Sequence, residues 1–278
     1  MRLSAVAIIV GSIVVGLASF NAVGPFHLVK EWRAIYKAKL KRPIDKLEYE
    51  IYNYSGDQVP FISIDFLKGE HFWHPQLAVW LETIDGEYIT TLLVTYSTAK
   101  GIFFSGRTAE NFKDFDNSKS QTSGDIRRVN ALPNWAFKRN ILAKDGLVVP
   151  HPYDPLPDGI TGATPSNNFV FTTGNSTINP MDSFIVKMEI NVAFDQNEFY
   201  SEYDYLEDDA YHSGTGLLGQ PSLVYATVVN RSDSNSYYLM KLEGHGHHSG
   251  QNGDLYKDLS GITTASKIVE RVLVKVNW

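Results

Sequence analysis

Residues 183–195 read SFIVKMEINVAFD. Phe184, Val186, Met188, Ile190, Val192 and Phe194 fall on every second position, and their neighbours are mostly polar. A strand turns successive side chains to opposite faces, so this spacing predicts a half-buried β-strand with those six residues inward. The rest of the body can be read outward from that strand. QLAVWLET at 76–83 and EYITTLLVTY at 87–96 flank IDGE at 84–87. An Asp-Gly pair between two apolar runs is a strong hairpin signal, because glycine supplies the positive φ that the tight turn needs. KLEYEIYN (46–53), FISIDF (61–66), NFVFTT (168–173), SLVYATVVN (222–230), YYLMKLEG (237–244) and IVERVLVKVN (268–277) supply six more candidates.

Short strands separated by turn-rich spacers predict a mainly β protein, a two-sheet sandwich of immunoglobulin-like or transthyretin-like kind. Strands and long helices do not alternate along the chain, which argues against a parallel α/β sheet. Fifteen Tyr, fifteen Phe and five Trp suit β structure as well. There are no cysteines, so disulfides, thiolate metal sites and cysteine nucleophiles are excluded.

The first 45 residues follow other rules. Residues 3–23, LSAVAIIVGSIVVGLASFNAV, carry no charge. As a helix rising ~1.5 Å per residue they would span roughly 30 Å, about the hydrocarbon core of a bilayer. A cleaved signal peptide is the rival reading, but Phe20 stands at one candidate cut and Pro25 follows the other. In HLVKEWRAIYKAKLKRP, which follows, Leu28, Trp32, Ile35 and Tyr36 share one helical face, and Lys30, Arg33, Lys37 and Lys41 fall largely on the other. The expectation is a transmembrane signal-anchor over 1–25, a basic amphipathic neck helix over 26–44 at the membrane surface, and one domain over 45–278.

Residues 1–44 hold seven Lys and Arg against one acid, which leaves 18 against 30 in the body, a net charge of −12. A body so acidic does not suit nucleic-acid binding, which needs basic surface for phosphate. Basic residues beside the span favour a cytoplasmic body by the positive-inside tendency. The β-rich domain, of an exported type, favours the extracytoplasmic side of the inner membrane, and that is the placement expected here.

Several constellations bear on chemistry. GTGLLG at 214–219 matches a dinucleotide glycine pattern, but an acidic Tyr-rich loop precedes it and Gln220-Pro221 follows, so the strand and helix such a site needs are missing from the pattern. His245, His247 and His248 lie in GHGHHSG, and His71 and His74 in HFWHP. On a strand His245 and His247 would share a face and could chelate a divalent metal, with His71 and His74 joining if the segments are neighbours; hydrogen-bonding imidazoles that brace the last strands are the alternative. The acidic run at 202–209 could hold a hard cation but lacks EF-hand spacing, and a solvated loop is the simpler reading. No Gly-x-Ser-x-Gly elbow or recognisable pair of catalytic carboxylates occurs, so no independent catalytic activity is indicated. Two polar stretches, 106–125 and 150–168, read as long loops.

The second of these loops contains DGITGAT at 158–164. It resembles the Asp-x-x-Thr-Gly-Ala-Thr signature of domains that receive FMN covalently from a flavin transferase. The resemblance implies that Thr164 is the residue esterified through the FMN phosphate, with Asp158, Thr161, Gly162 and Ala163 as its recognition frame. Here Pro165 follows the acceptor at once, and the surroundings read as a sandwich loop rather than a smaller α+β domain. The alternative is an Asx-type turn in which Asp158 and Thr161 cap their own backbone. HPQLAVWLETIDGEYITTLLVT, ALPNWAFKRN, GQPSLVYATV and GHGHHSGQNGDLYKDLSGITTASKIVERV, in order over most of 70–275, resemble a family of periplasmic proteins inferred from sequence and associated with PepSY-type membrane reductases and flavin transferases. That resemblance implies an accessory part in electron transfer at the membrane.

Overall fold

The computed structural model describes residues 47–54, 60–101, 128–144, 146–151, 153, 156, 160–162, 164–208, 211, 219–233 and 237–278. The expected membrane helix and neck lie outside them, as do the polar stretch 106–125 and all of the glycine pattern except Gly219. Among the described residues no helix is long and apolar enough to cross a membrane.

The body is mainly β, with two facing sheets. The first has the order β1 (Tyr49–Tyr54), β6 (Asn168–Gly174), β2 (Phe61–Lys68), β11 (Val269–Asn277), β9 (Tyr238–Leu239). The second has the order β10 (Lys241–His245), β8 (Leu223–Asn230), β7 (Ser183–Asn191), β3 (Gln76–Glu82), β4 (Tyr88–Thr95), β5 (Ile160–Gly162). All pairings are antiparallel except β1 with β6 and β4 with β5. Every segment read as a strand from the sequence contains one. The hairpin stands between β3 and β4, where Gly86 at φ 83 donates to Thr83 O (2.9 Å) and Thr83 N donates to Glu87 O (2.8 Å).

The core between the sheets follows the alternation. Phe184, Val186, Met188 and Ile190 of β7 meet Leu77, Val79 and Leu81 of β3 and, from the facing sheet, Ile62, Ile64, Phe66, Phe169 and Phe171. One expected inward residue departs. β7 ends at Asn191, and Phe194 sits in a turn at φ 63 with 63% of its surface exposed. The chain turns there because Asp195 O is held by the backbone and side-chain amides of Gln220, both at 3.0 Å.

The other face of the six-stranded sheet is covered as well. Helix α1 (Tyr96–Lys100), a 3-10 turn (Val129–Ala131) and helix α2 (Pro133–Arg139) lie in the sequence between β4 and β5. With Leu147, Val149 and Leu156 they bury Ala78 and Trp80 of β3, Val94 of β4 and Val224 of β8 in a second apolar cluster. Trp135 is its largest member, fully buried, and its indole N–H donates to Thr91 Oγ1 at 3.0 Å. β7 keeps the half-buried alternation that its sequence predicts, with Ile185, Lys187 and Asn191 partly buried on the outer side; there the cover reaches it at Glu189, which is fully buried.

Candidate functional site

Of the DGITGAT segment, residues 160–162 and Thr164 are among those described. Its central residues make β5, the last strand of the six-stranded sheet, parallel to β4 with Leu93 opposite Ile160, Val94 opposite Thr161 and Thr95 opposite Gly162. β-Branched Ile160 and Thr161 suit a strand. A Cβ built on Gly162 would meet only Leu93 Cδ1, at an ordinary 3.6 Å, so interior crowding does not dictate a glycine there. Thr164 lies two residues past the ladder and is half-buried, and Pro165 behind it is buried. Asp158 and Ala163 lie outside the described residues.

The histidines divide into two groups. β10 ends at His245, so His247 is off the strand and the shared-face expectation does not hold. The three imidazoles of GHGHHSG nevertheless come together, in a stack of rings. Tyr205 lies 4.0 Å from His248 at 17°, His248 lies 4.3 Å from His247 at 25°, and Tyr256 bridges His247 (5.7 Å) to His245 (5.4 Å). His248 Nε2 pairs with Asp208 Oδ2 at 2.9 Å, and Asp208 Oδ1 accepts from Gln251 (2.9 Å) and from Tyr211 N (3.0 Å). His247 Nδ1 accepts from Ser249 N at 3.2 Å. His245 Nδ1 is 2.7 Å from Gly246 O. Burial, and then the neighbouring His248, lower the His247 pKa; burial also lowers that of His248 against the opposing pull of Asp208. Asp208 is itself held low, because the Tyr211 N–H, Ser249 and His248 together outweigh its burial. Each of the three imidazoles thus has a local polar partner on at least one ring nitrogen. Among the described residues no group of three or more His, Asp or Glu is placed to hold a metal ion.

His71 and His74 lie before β3 and make no ring contact with that stack. His71 N donates to Lys267 O at 3.1 Å, and His74 sits beside Trp73, 6.1 Å ring to ring. The acidic run serves loop architecture: Asp204 Oδ2 accepts from Ser201 N and Oγ, both at 2.7 Å, and Asp208 holds the histidine stack.

The sequence gives no warning of one buried group. Glu189 stands on the outer side of β7, between Ala78 of β3 and Val224 of β8, and is fully buried. Its Oε1 accepts from Ser222 Oγ (2.5 Å) and Asn134 N (3.2 Å), and its Oε2 accepts from Trp135 N (2.7 Å). The carboxyl thus closes the first turn of α2, where helical N–H groups lack partners. Burial pushes its pKa up to about 7, with the Ser222 and backbone hydrogen bonds pulling the other way. Gly246 covers it, since a Cβ there would lie 2.5 Å from Ser222 Oγ, 2.7 Å from Pro133 Cγ and 3.1 Å from Glu189 Oε1. Three stretches quoted above for their family resemblance, ALPNWAF, GQPS and GHGHHSG, therefore converge on one carboxyl. As a spacing, Glu189 is only a polar alternate position, and nothing local to it signals burial.

Set against known proteins, the chain matches no family model, no curated protein and no solved structure.

Proposed function

We propose that this chain is a membrane-anchored, extracytoplasmic accessory protein of a flavin-linked electron-transfer system, with FMN carried covalently on Thr164. In this reading residues 1–25 span the inner membrane, residues 26–44 lie along its surface, and an immunoglobulin-like or transthyretin-like sandwich stands outside. A flavin transferase loads the hydroxyl, and a membrane reductase is the redox partner. The observation that carries the reading is the position of the motif: Thr164 follows the last strand of a rigid sheet and is half-buried, where a second enzyme can reach it. The residues fit the group, because Gly162 adds no side chain beside the acceptor and the interior does not claim that space. When bound, the flavin supplies one- and two-electron chemistry; the protein supplies position and surroundings. Thr164 would hold the phosphate, with Asp158, Thr161, Gly162 and Ala163 as the frame a transferase grips.

The test is intact-mass analysis of the full chain co-expressed with a flavin transferase that modifies a control substrate. The expected result is one FMN adduct, absent from Thr164→Val. An unmodified wild-type chain beside a modified control overturns the reading.

A second reading, a divalent-metal or ligand module using His245, His247 and His248 with His71 and His74, is favoured by the gathering of the first three imidazoles. Metal analysis of the purified chain, with stability measured in chelator, separates it from the first.

A further inference from the structure

The order of the strands decides where the chain enters the sandwich. β2 ends at Lys68, whose N–H donates to Asn168 Oδ1 (3.0 Å) at the start of β6. Tyr49, the first residue of β1, stands opposite Asn168, and Asn168 Nδ2 donates to Glu48 O at 2.8 Å. Residues 26–44 therefore lead into the body at this end. β11 begins at the same end, with Val269 opposite Lys68. The segment 194–208, which follows β7, is tied in beside it: Asn197 Nδ2 donates to Gly261 O (2.8 Å) and to Thr263 Oγ1 (2.9 Å), a few residues before β11.

Residues 194–208, FDQNEFYSEYDYLED, hold six acids and no Lys or Arg. Their shape is fixed from within. Asn197 Oδ1 accepts from the backbone N–H groups of Phe199 and Tyr200, both at 2.9 Å, and buried Tyr200 stacks on Tyr205 with centroids 5.8 Å apart. The remaining large side chains are turned out. Phe194 and Phe199 are exposed, Tyr203 keeps 77% of its surface in the open and Leu206 74%. Glu198, Glu202 and Glu207 are exposed between them in the chain. So much apolar surface on one short segment, rimmed by charge, marks a place of contact.

Three covers fit the position: a lipid surface, a second copy, and residues 26–44 of the same chain. Charge separates them. Anionic headgroups repel an acidic segment, and so does a second body of net charge −12. Residues 26–44 carry six Lys and Arg against one acid. Basic side chains of that length lay their aliphatic stems on apolar surface, hold the charged head at its edge and sit favourably over aromatic rings. Phe194, Tyr203 and Leu206 with Glu198, Glu202 and Glu207 offer all three. The reach is sufficient as well. From β1 to β11 is three strand spacings, about 14 Å, whereas residues 26–44 as a helix would run about 28 Å. Leu28, Trp32, Ile35 and Tyr36, on the opposite face of that helix, stay available to the membrane.

We propose that the acidic, apolar surface of residues 194–208 docks the basic face of residues 26–44 of the same chain. Thr164 lies at this end too, because β4 ends where β3 begins, with Leu77 N donating to Thr95 Oγ1 at 3.2 Å, and Gly162 of β5 stands opposite Thr95. Docking turns the expected flavin acceptor toward the membrane; that consequence rests on the proposed function, and the docking itself does not. The chain has no cysteines, so nitroxides can be placed on Ala38→Cys and Gln196→Cys in the full chain, in vesicles of zwitterionic and anionic lipid. Pulsed electron paramagnetic resonance should give one narrow, short distance. Glu198→Lys, Glu202→Lys and Glu207→Lys together should lower the ratio of docked to undocked chains roughly tenfold. Adding Lys30→Glu, Lys37→Glu and Lys41→Glu should restore it. The three glutamates are exposed, so Tm should hold in each variant. Flotation with the vesicles reports the membrane anchor separately. A broad, long distance in the parent chain, a distance indifferent to the charge reversals, or a swap that fails to restore it overturns the proposal. So does a nitroxide on Leu206→Cys that oxygen broadening places in lipid, which assigns the surface to the bilayer. A short distance between chains carrying one label each assigns it to a second copy and overturns it equally.

Discussion

The two faces of the six-stranded sheet are buried by different means. On the inner face, Phe184, Val186, Met188 and Ile190 meet the other sheet with apolar side chains alone. On the outer face, a seven-residue helix and a few turns cover Ala78, Trp80 and Val224, and a buried carboxyl, beside the Trp135–Thr91 hydrogen bond, ties that cover down. The inner face is held by area, which is non-directional and tolerant of small shifts. The outer face is held by area together with a directional clamp of two backbone N–H groups and a hydroxyl on Glu189. Damage to the first should lower stability equally at all pH values; damage to the second should depend on pH.

The largest expected effect is on the inner face. Phe169 is fully buried and stacks on Phe66 with centroids 4.8 Å apart. Phe169→Ala should lose roughly 3–5 kcal/mol, the usual range for a large-to-small change in a core. Chemical denaturation at pH 5 and at pH 8 should give the same loss. A loss that differs between the two would mean that the inner face also feels Glu189.

Next is the pH dependence of the outer face. Glu189 is raised from the ordinary 4.5 to about 7 in the folded state, chiefly by burial. The folded chain therefore holds this proton more tightly than the unfolded chain. The stabilisation is fully present below about 4.5 and is lost as pH rises through about 7. The difference amounts to about 3 kcal/mol. Thermal unfolding of the wild type should show Tm falling between pH 5 and pH 8 from this group, and Glu189→Gln should remove that part of the slope. The amide variant should be less stable at pH 5, because its NH₂ end cannot accept from Trp135 N. An unchanged slope in the variant would assign the pH dependence to other groups.

Third is the lid over the carboxyl. A Cβ at position 246 would fall 2.5 Å from Ser222 Oγ and 2.7 Å from Pro133 Cγ. Gly246→Ala should therefore push α2 away from the sheet, at a cost of about 2 kcal/mol, typical of overpacking. Hydrogen exchange should quicken at Asn134 and Trp135, whose amides bond to Glu189, and remain slow in β7. Uniform quickening would show that the outer cover and the sandwich open as one unit.

The same contrast explains what could be read from the sequence. Inner-face strands announce themselves, because burial on one side imposes a period of two, as in FISIDF and SFIVKMEIN. The pattern fails where backbone geometry overrides it. Phe194 continues the alternation but falls after the strand has ended. YYLMKLEG reads as one strand yet gives β9 in one sheet and β10 in the other, with buried Met240 at the crossing. β5 spans only three residues, too few to show a period, so the segment at 158–164 reads as a loop and not as a strand. The outer face leaves little trace, since α2 spans seven residues and its anchor comes from a strand more than fifty residues away. Of the candidate sites, the gathering of His245, His247 and His248 follows from their nearness in the chain. The pairing of His248 with Asp208, forty residues apart, does not.

The smallest expected effect separates the clamp into its parts. Ser222 Oγ lies 2.5 Å from Glu189 Oε1 and is the strongest of the contacts that hold the carboxyl's pKa down against burial. Ser222→Ala removes that contact and leaves both backbone N–H groups in place. The cost should be about 1 kcal/mol, the net worth of an ordinary hydrogen bond. Its pH dependence is the more informative readout. Without the hydroxyl the charged carboxylate loses a donor, so the Glu189 pKa should rise further, and the fall in Tm should move to higher pH. Below the transition, where the carboxyl is protonated in both proteins, the variant and the wild type should nearly coincide. If the two differ equally at pH 5 and pH 8, Ser222 acts by filling space beside Gly246 and not by bonding the charge. The outer face would then be held by packing, as the inner face is.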